Sequence, residues 1–147
     1  KIQNKNIDSG IYKKGEIDFS TIIESTKSHP KIKEAGSIVS FNGIVRETSK
    51  DGELVKGLSI DAYDELANKT INRICKDIKN IEGIIDIKLI HFKGEFDISE
   101  DLVFVVVASA HREEGFEALR SAVERYKREI EVWKREKFID GSAEWTH

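Results

Sequence analysis

Apolar residues along this chain switch between a spacing of three or four and a spacing of two, and those switches mark out the elements. Residues 1–17 read as an extended segment broken at Gly10 and Gly15. Asp18 precedes FSTIIESTKSH, where Phe19, Ile22, Ile23 and Thr26 share one helical face. Asp18 is the expected N-cap, because its carboxylate can accept the first free backbone N–H groups, and Pro30 ends the element. GSIVSFNGIV (36–45) partly alternates and is rich in β-branched residues, which predicts a strand. The polar turn TSKDGE (48–53) has Asp51-Gly52 at its tip, so KGLSIDAY is expected to return as the partner strand.

The clearest helix runs from Asp64 to Ile81, with Leu66, Ile71, Ile74, Cys75 and Ile78 at helical steps and Gly83 as its stop. IIDIKLIHF (84–92) alternates as a half-buried strand. DLVFVVVASA (101–110) is continuously apolar and predicts a central strand covered on both faces. A helix from about His111 to Glu129 follows, its inner stripe read as Phe116, Leu119, Val123, Tyr126 and Ile130. EVWKREKFI resumes as a strand, and DGSAEWTH closes the chain. These elements predict an α+β fold with a mostly antiparallel sheet and flanking helices, in a single domain over 1–147.

Composition narrows the function classes. The chain has 24 Lys and Arg against 27 Asp and Glu, a net charge of −3, and its basic tail is interleaved with Glu113, Glu114, Glu117, Glu124, Glu129, Glu131 and Glu136. Nucleic-acid binding normally needs a basic excess on one face, so a focused pocket is favoured. No apolar run approaches the roughly 18 residues of a membrane span, and the N-terminus carries no secretory signal pattern. A cytoplasmic protein with no membrane association is expected. The single cysteine, Cys75, forms no internal disulfide and lies on an apolar stripe, as a buried structural thiol does. His91 and His111 have no neighbours at metal-ligand spacing, so no metal site is expected.

Chemistry concentrates in the last third. His111 and Arg112 follow the apolar strand and open a helix, where free N–H groups and the positive dipole end favour anions. Arg can grip phosphate through two hydrogen bonds, although the dipeptide also reads as an ordinary helix start with surface charges. Lys127 comes late in that helix and Lys134 lies in the next segment, beside Trp133. If the chain turns back after Ile130, both ammonium groups face one cavity and lower each other's pKa; otherwise they are solvated lysines. Arg46, at the end of GIVRE, is either a site residue or a surface arginine.

Five stretches together resemble the large, catalytic subunit of molybdopterin synthase, the MoaE family: AGSIVSFNGIVRE, LSIDAYDELA, IHFKGEFDISE, VVVASAHREEGFEAL and YKREIEVWKREKFIDGSAEW. They cover nearly the whole chain in the family's order. The resemblance implies an α/β hammerhead fold and a sulfurtransferase. A small ubiquitin-like partner ending in a Gly-Gly thiocarboxylate would thread its tail into a pocket, and sulfur would pass to cyclic pyranopterin monophosphate without a metal or organic cofactor. Two large subunits would dimerise, with a small subunit at each end of a heterotetramer. By position, Lys127 and Lys134 match the lysines at the reacting centre, and Arg46, His111 and Arg112 match the residues that bind the pterin and its phosphate. Arg135 and Glu136 belong to the same WKRE segment and are expected to line the pocket. The chain departs from the family where HFKG replaces HRxG (Phe92, Lys93), at Ser99-Glu100, at Glu65-Leu66-Ala67, and in stopping at His147. A fold that keeps the tail-binding groove without turnover is the alternative, and loss of either lysine would have favoured it.

Overall fold

A computed structural model describes residues 6–146. Among them the order is β1 (Gly10–Lys13), α1 (Phe19–Lys27), β2 (Ser37–Ile44), β3 (Val55–Ala62), α2 (Asp64–Lys79), β4 (Ile84–Asp97), β5 (Asp101–Ser109), α3 (Arg112–Glu129), β6 (Val132–Phe138) and β7 (Ala143–Thr146). The strands form one sheet in the order β2-β5-β4-β3-β6-β7, with β1 beside β4. Every pairing is antiparallel except β1 with β4. The expected α+β architecture is therefore present. Asp18 caps α1 as the sequence indicates, accepting from the Thr21 backbone N–H at 2.9 Å.

Burial explains the sheet order. The apolar run of β5 is buried from Val103 to Ser109 and is flanked by β2 and β4. Alternation sends its residues to two covers: Phe104 stacks on Phe19 of α1 at 5.2 Å, while Ser109 meets Gly115 of α3. Helix α2 buries Ala67, Ile71, Ile74, Cys75 and Ile78; each large side chain among these contributes about 1.5–3 kcal/mol.

Four expectations change. The β2–β3 hairpin does not form beyond an isolated Thr48–Leu54 bridge. Strand β2 pairs with β5 instead, and β3 lies between β4 and β6. Val45 anchors the end of β2 to the β4–β5 turn, donating to Glu100 at 3.1 Å and accepting from Ser99 at 2.7 Å. The half-buried strand expected at 84–92 is a 14-residue strand buried almost throughout its first nine positions. Its first part serves β5 and its last part serves β3, from Gly94 to Asp97. The buried stripe of α3 is Gly115, Ala118, Ala122 and Tyr126, while Phe116 is 56% exposed. Small residues bring the helix close to β2 and β5: a Cβ on Gly115 would sit 2.5 Å from Ser109 Oγ. Leu66, read into the stripe of α2, is likewise half exposed.

Candidate functional site

The sulfur-chemistry candidates of the sequence gather where the end of α3 folds back onto β6. Helix α3 closes at Ile130, whose N–H bonds the Tyr126 carbonyl, and Val132 starts β6 after a turn held by its bond to the Ile130 carbonyl at 2.9 Å. This reversal brings Lys127, in the last turn of α3, to the same cavity as Lys134. The cavity holds about 570 Å³. Period-two alternation then decides which β6 residues reach it. Lys134, Glu136 and Phe138 line it, whereas Arg135 lines a separate depression on the other side with Lys93, Glu95 and Trp145. Arg135 stacks over the Trp145 ring, 5.7 Å from its centroid.

Strand β2 and the loop after it supply the opposite wall. Phe41, Gly43 and Arg46 all line the cavity. The Arg46 Nε donates to the Thr48 carbonyl at 3.2 Å, which orients the guanidinium while leaving its terminal NH₂ groups without hydrogen bonds to described residues. Lys50, from the same loop, adds a fourth cation, and Asp51, Glu53, Glu136 and Glu144 bring carboxylates to the lining. The apolar remainder includes Leu58, Ile60, Leu102 and Val103.

Burial holds the Lys134 ammonium below the ordinary lysine pKa, and the charges of Lys127 and Lys50 push the same way against Glu136. A lysine with a depressed pKa is suited to give and take protons. Beneath it lies His91 of β4, which is 3% exposed. Burial, aided slightly by Lys134, lowers the His91 pKa to about 4, so the ring is neutral at physiological pH. Tyr126 stands edge-on to His91 with ring centroids 5.7 Å apart.

His111 and Arg112 do not line this cavity. They sit at the other end of α3, where both are exposed and Glu114 accepts from the His111 backbone N–H at 3.1 Å. Helix α3 is 18 residues long, which separates its ends by about 27 Å. The structure thus joins Arg46, Lys127, Lys134 and Glu136, and it leaves His111, Arg112 and Arg135 outside that group. Sequence reading missed Lys50, His91 and Tyr126 as lining residues. Alternation along IIDIKLIHF carried a weak signal for His91, since a histidine on a strand that proves to be buried needs a polar reason to be there.

A second, larger depression of about 1150 Å³ lies between the N-terminal segment, α1 and α2. It contains the Asp86–Lys88 pair, 3.5 Å apart and almost fully buried, and the buried Cys75, whose thiol pKa is raised by burial. It brings together none of the candidate site residues. Among the described residues no cluster of His, Cys, Asp and Glu is arranged to hold a metal ion, and no helix is long and apolar enough to cross a membrane.

Comparison with known proteins agrees with the resemblance seen in the sequence. A molybdopterin synthase catalytic subunit from Pyricularia oryzae is 39% identical over 123 residues, spanning 84% of this chain and 67% of its own length. The crystal structure of molybdopterin synthase from Staphylococcus aureus superposes with a TM-score of 0.81 at 26% identity, covering 100% of this chain and 99% of that one. A complex of subunits 1 and 2 of molybdopterin-converting factor from Helicobacter pylori contains a chain of the same fold, with a TM-score of 0.73 at 21% identity over 93% of this chain and 88% of that one. The family model described as MoaE protein matches residues 12–129, and this chain belongs to the MoaE family.

Proposed function

We propose that this chain is the catalytic subunit of a molybdopterin synthase, acting in molybdenum-cofactor biosynthesis with a small partner subunit. The observation that carries the reading is the convergence of Lys127 and Lys134, from two different elements, on one cavity beside Arg46. In this reading the partner is a ubiquitin-like sulfur carrier whose Gly-Gly tail enters the cavity as a thiocarboxylate, in the cytoplasm. Its sulfur attacks an oxygen-bearing carbon of cyclic pyranopterin monophosphate: a carbon–sulfur bond forms and a carbon–oxygen bond at that carbon breaks, the oxygen leaving as water or staying on the phosphate. Water then attacks the acyl carbon, the acyl–sulfur bond breaks, and the partner leaves as a carboxylate. Two such transfers build the dithiolene.

The lysines suit both halves of each transfer. Negative charge develops on the acyl oxygen during water attack, and ammonium groups fixed in a partly dry cavity stabilise it. Lys134, whose ammonium is held below the ordinary lysine pKa by burial and by the Lys127 charge, is suited to exchange protons with the reacting groups. Arg46 is assigned to the substrate phosphate, and Glu136 stands beside Lys134 as a cavity wall that offsets its charge.

The assignment of His111 and Arg112 to the substrate phosphate requires a second copy. A small substrate cannot span a helix of about 27 Å to touch both Lys127 and His111 of one chain. In a homodimer within the heterotetramer, the exposed start of α3 is assigned to the partner copy's cavity. Arg135 remains a pocket residue only if the partner's tail approaches along the opposite face of β6, over Trp145.

The test is reconstitution: purified chain, a thiocarboxylated ubiquitin-like partner and cyclic pyranopterin monophosphate, assayed for dithiolene product. Product that disappears in Lys127→Ala and Lys134→Ala, with partner binding intact, supports the reading. Tight partner binding without product from the unmodified chain overturns it in favour of a binding module.

A further inference from the structure

Two buried side chains that line the cavity, His91 and Tyr126, each carry a polar atom with no hydrogen bond to a described residue. His91 is 3% exposed and Tyr126 8%. The His91 Nδ1 lies 3.0 Å from the Phe92 carbonyl oxygen. A carbonyl only accepts, so Nδ1 carries the proton and Nε2 keeps a free lone pair. The Tyr126 hydroxyl lies against Gly43, 3.5 Å from where a Cβ there would sit. Neither Nε2 nor this hydroxyl is hydrogen-bonded to any described residue. Among described side-chain atoms sealed from solvent, Asp86 Oδ2 alone makes no hydrogen bond. The two unpartnered groups therefore open on the cavity itself.

Their chemistry is complementary. Burial raises the Tyr126 pKa, which keeps the phenol a neutral donor, and the neutral His91 is an acceptor. Buried polar groups normally find partners, so a donor and an acceptor left open side by side call for a ligand that offers an acceptor beside a donor. The walls around them are Phe41, Leu58, Ile60 and Val103, and the Phe41 ring lies 6.4 Å from that of Tyr126. That surround suits a flat heterocycle better than a flexible chain.

We propose that the Tyr126 hydroxyl and His91 Nε2 bind the amide edge of the pterin ring, a carbonyl oxygen beside a ring N–H, and so set which end of the substrate faces the lysines. The proposal rests on the function proposed above and deepens it. Tyr126 donates to the carbonyl and His91 accepts from the N–H, while the phosphate at the opposite end of the substrate stays with Arg46. The two residues orient the substrate and take no part in moving sulfur.

The experiment is steady-state kinetics of the reconstituted synthase with Tyr126→Phe, His91→Phe and His91→Gln. Removing one neutral hydrogen bond is expected to raise KM for the cyclic pyranopterin about tenfold, with most of the effect in KM rather than kcat. The Gln variant retains an acceptor and is expected to recover most of the loss. Competitive inhibition by inorganic phosphate, which reports only on the anionic end, is expected to stay unchanged, as is partner affinity. An unchanged KM in Tyr126→Phe overturns the proposal. So does a parallel loss of phosphate inhibition and partner affinity, which marks a structural role, or a loss of partner affinity alone, which assigns the pair to the partner's tail. If the unmodified chain makes no product, the sulfur-transfer reading fails separately. Calorimetric titration of the cyclic pyranopterin into unmodified chain and Tyr126→Phe then decides the pair: weaker binding in the variant upholds it, and equal or absent binding overturns it.

Discussion

His91 makes acid stability a direct test of how the cavity floor is built. Its pKa falls from 6.5 to about 4 in the folded chain, chiefly through burial and secondarily through Lys134, against a raising effect of the Phe92 carbonyl. Between those two values the unfolded chain holds a proton that the folded chain refuses. The native state is therefore at full stability above pH 6.5 and loses it as pH falls toward 4. At about 1.36 kcal/mol per unit, the full loss is about 3 kcal/mol, of which roughly 2.5 kcal/mol accrues by pH 4.5. The carboxylates whose pKa values are lowered, such as Glu95 and Glu129, fall below their ordinary 4.5, so they contribute mainly beneath this window. The assay is denaturant unfolding of the unmodified chain and His91→Gln at half-unit steps from pH 7.5 to 4.5. The variant has lost a buried ring and starts less stable, but its stability is expected to fall by roughly 2.5 kcal/mol less across the window. Equal pH slopes in the two proteins would refute the reasoning, because they would mean that His91 is solvated enough to protonate in the folded state.

Four further outcomes are expected. Lys134→Ala and Lys127→Ala each lower kcat by about 10²–10³-fold, as removal of a preorganised charge stabiliser does, while partner affinity measured by calorimetry is unchanged. In Lys127→Ala the limb of the pH–rate profile that reports Lys134 moves to higher pH, because the Lys127 charge is one of the causes that lower its pKa. Mixing inactive Lys134→Ala with inactive Arg112→Ala subunits recovers about a quarter of wild-type activity if the two residues come from different copies, since half the random dimers then contain one intact site of two; no recovery places both in one chain. Gly115→Val is expected to destabilise the fold by about 1–3 kcal/mol in denaturant titration, because the helix must back away from Ser109.

The parts of the fold that were legible in the sequence are those whose signal is local. The Asp18 cap and the apolar stripe of α2 needed only their own neighbours, and the unbroken run of β5 announced a strand covered on both faces. The partner of β2 was not local: Asp51-Gly52 is a good turn, but β5 competes for the same strand and buries more. The α3 stripe misled for a related reason. Periodicity favours large apolar residues, whereas this helix approaches the sheet through Gly115, Ala118 and Ala122, which carry little hydropathy signal.

The site divides along the same line. Lys127 and Lys134 were legible through the order of motifs, and the turn at Ile130 makes their convergence a consequence of chain reversal. Arg135 was grouped with its neighbours in WKRE, yet strand alternation separates it from Lys134 and Glu136 whatever the motif says. His91 and Tyr126 were read as a strand residue and a core residue, and both readings are correct as far as they go. What makes them candidate substrate contacts is an absence, a donor and an acceptor without partners at one cavity wall. Satisfied and unsatisfied polar groups have the same letters in a sequence, so that distinction exists only once the cavity has been built around them.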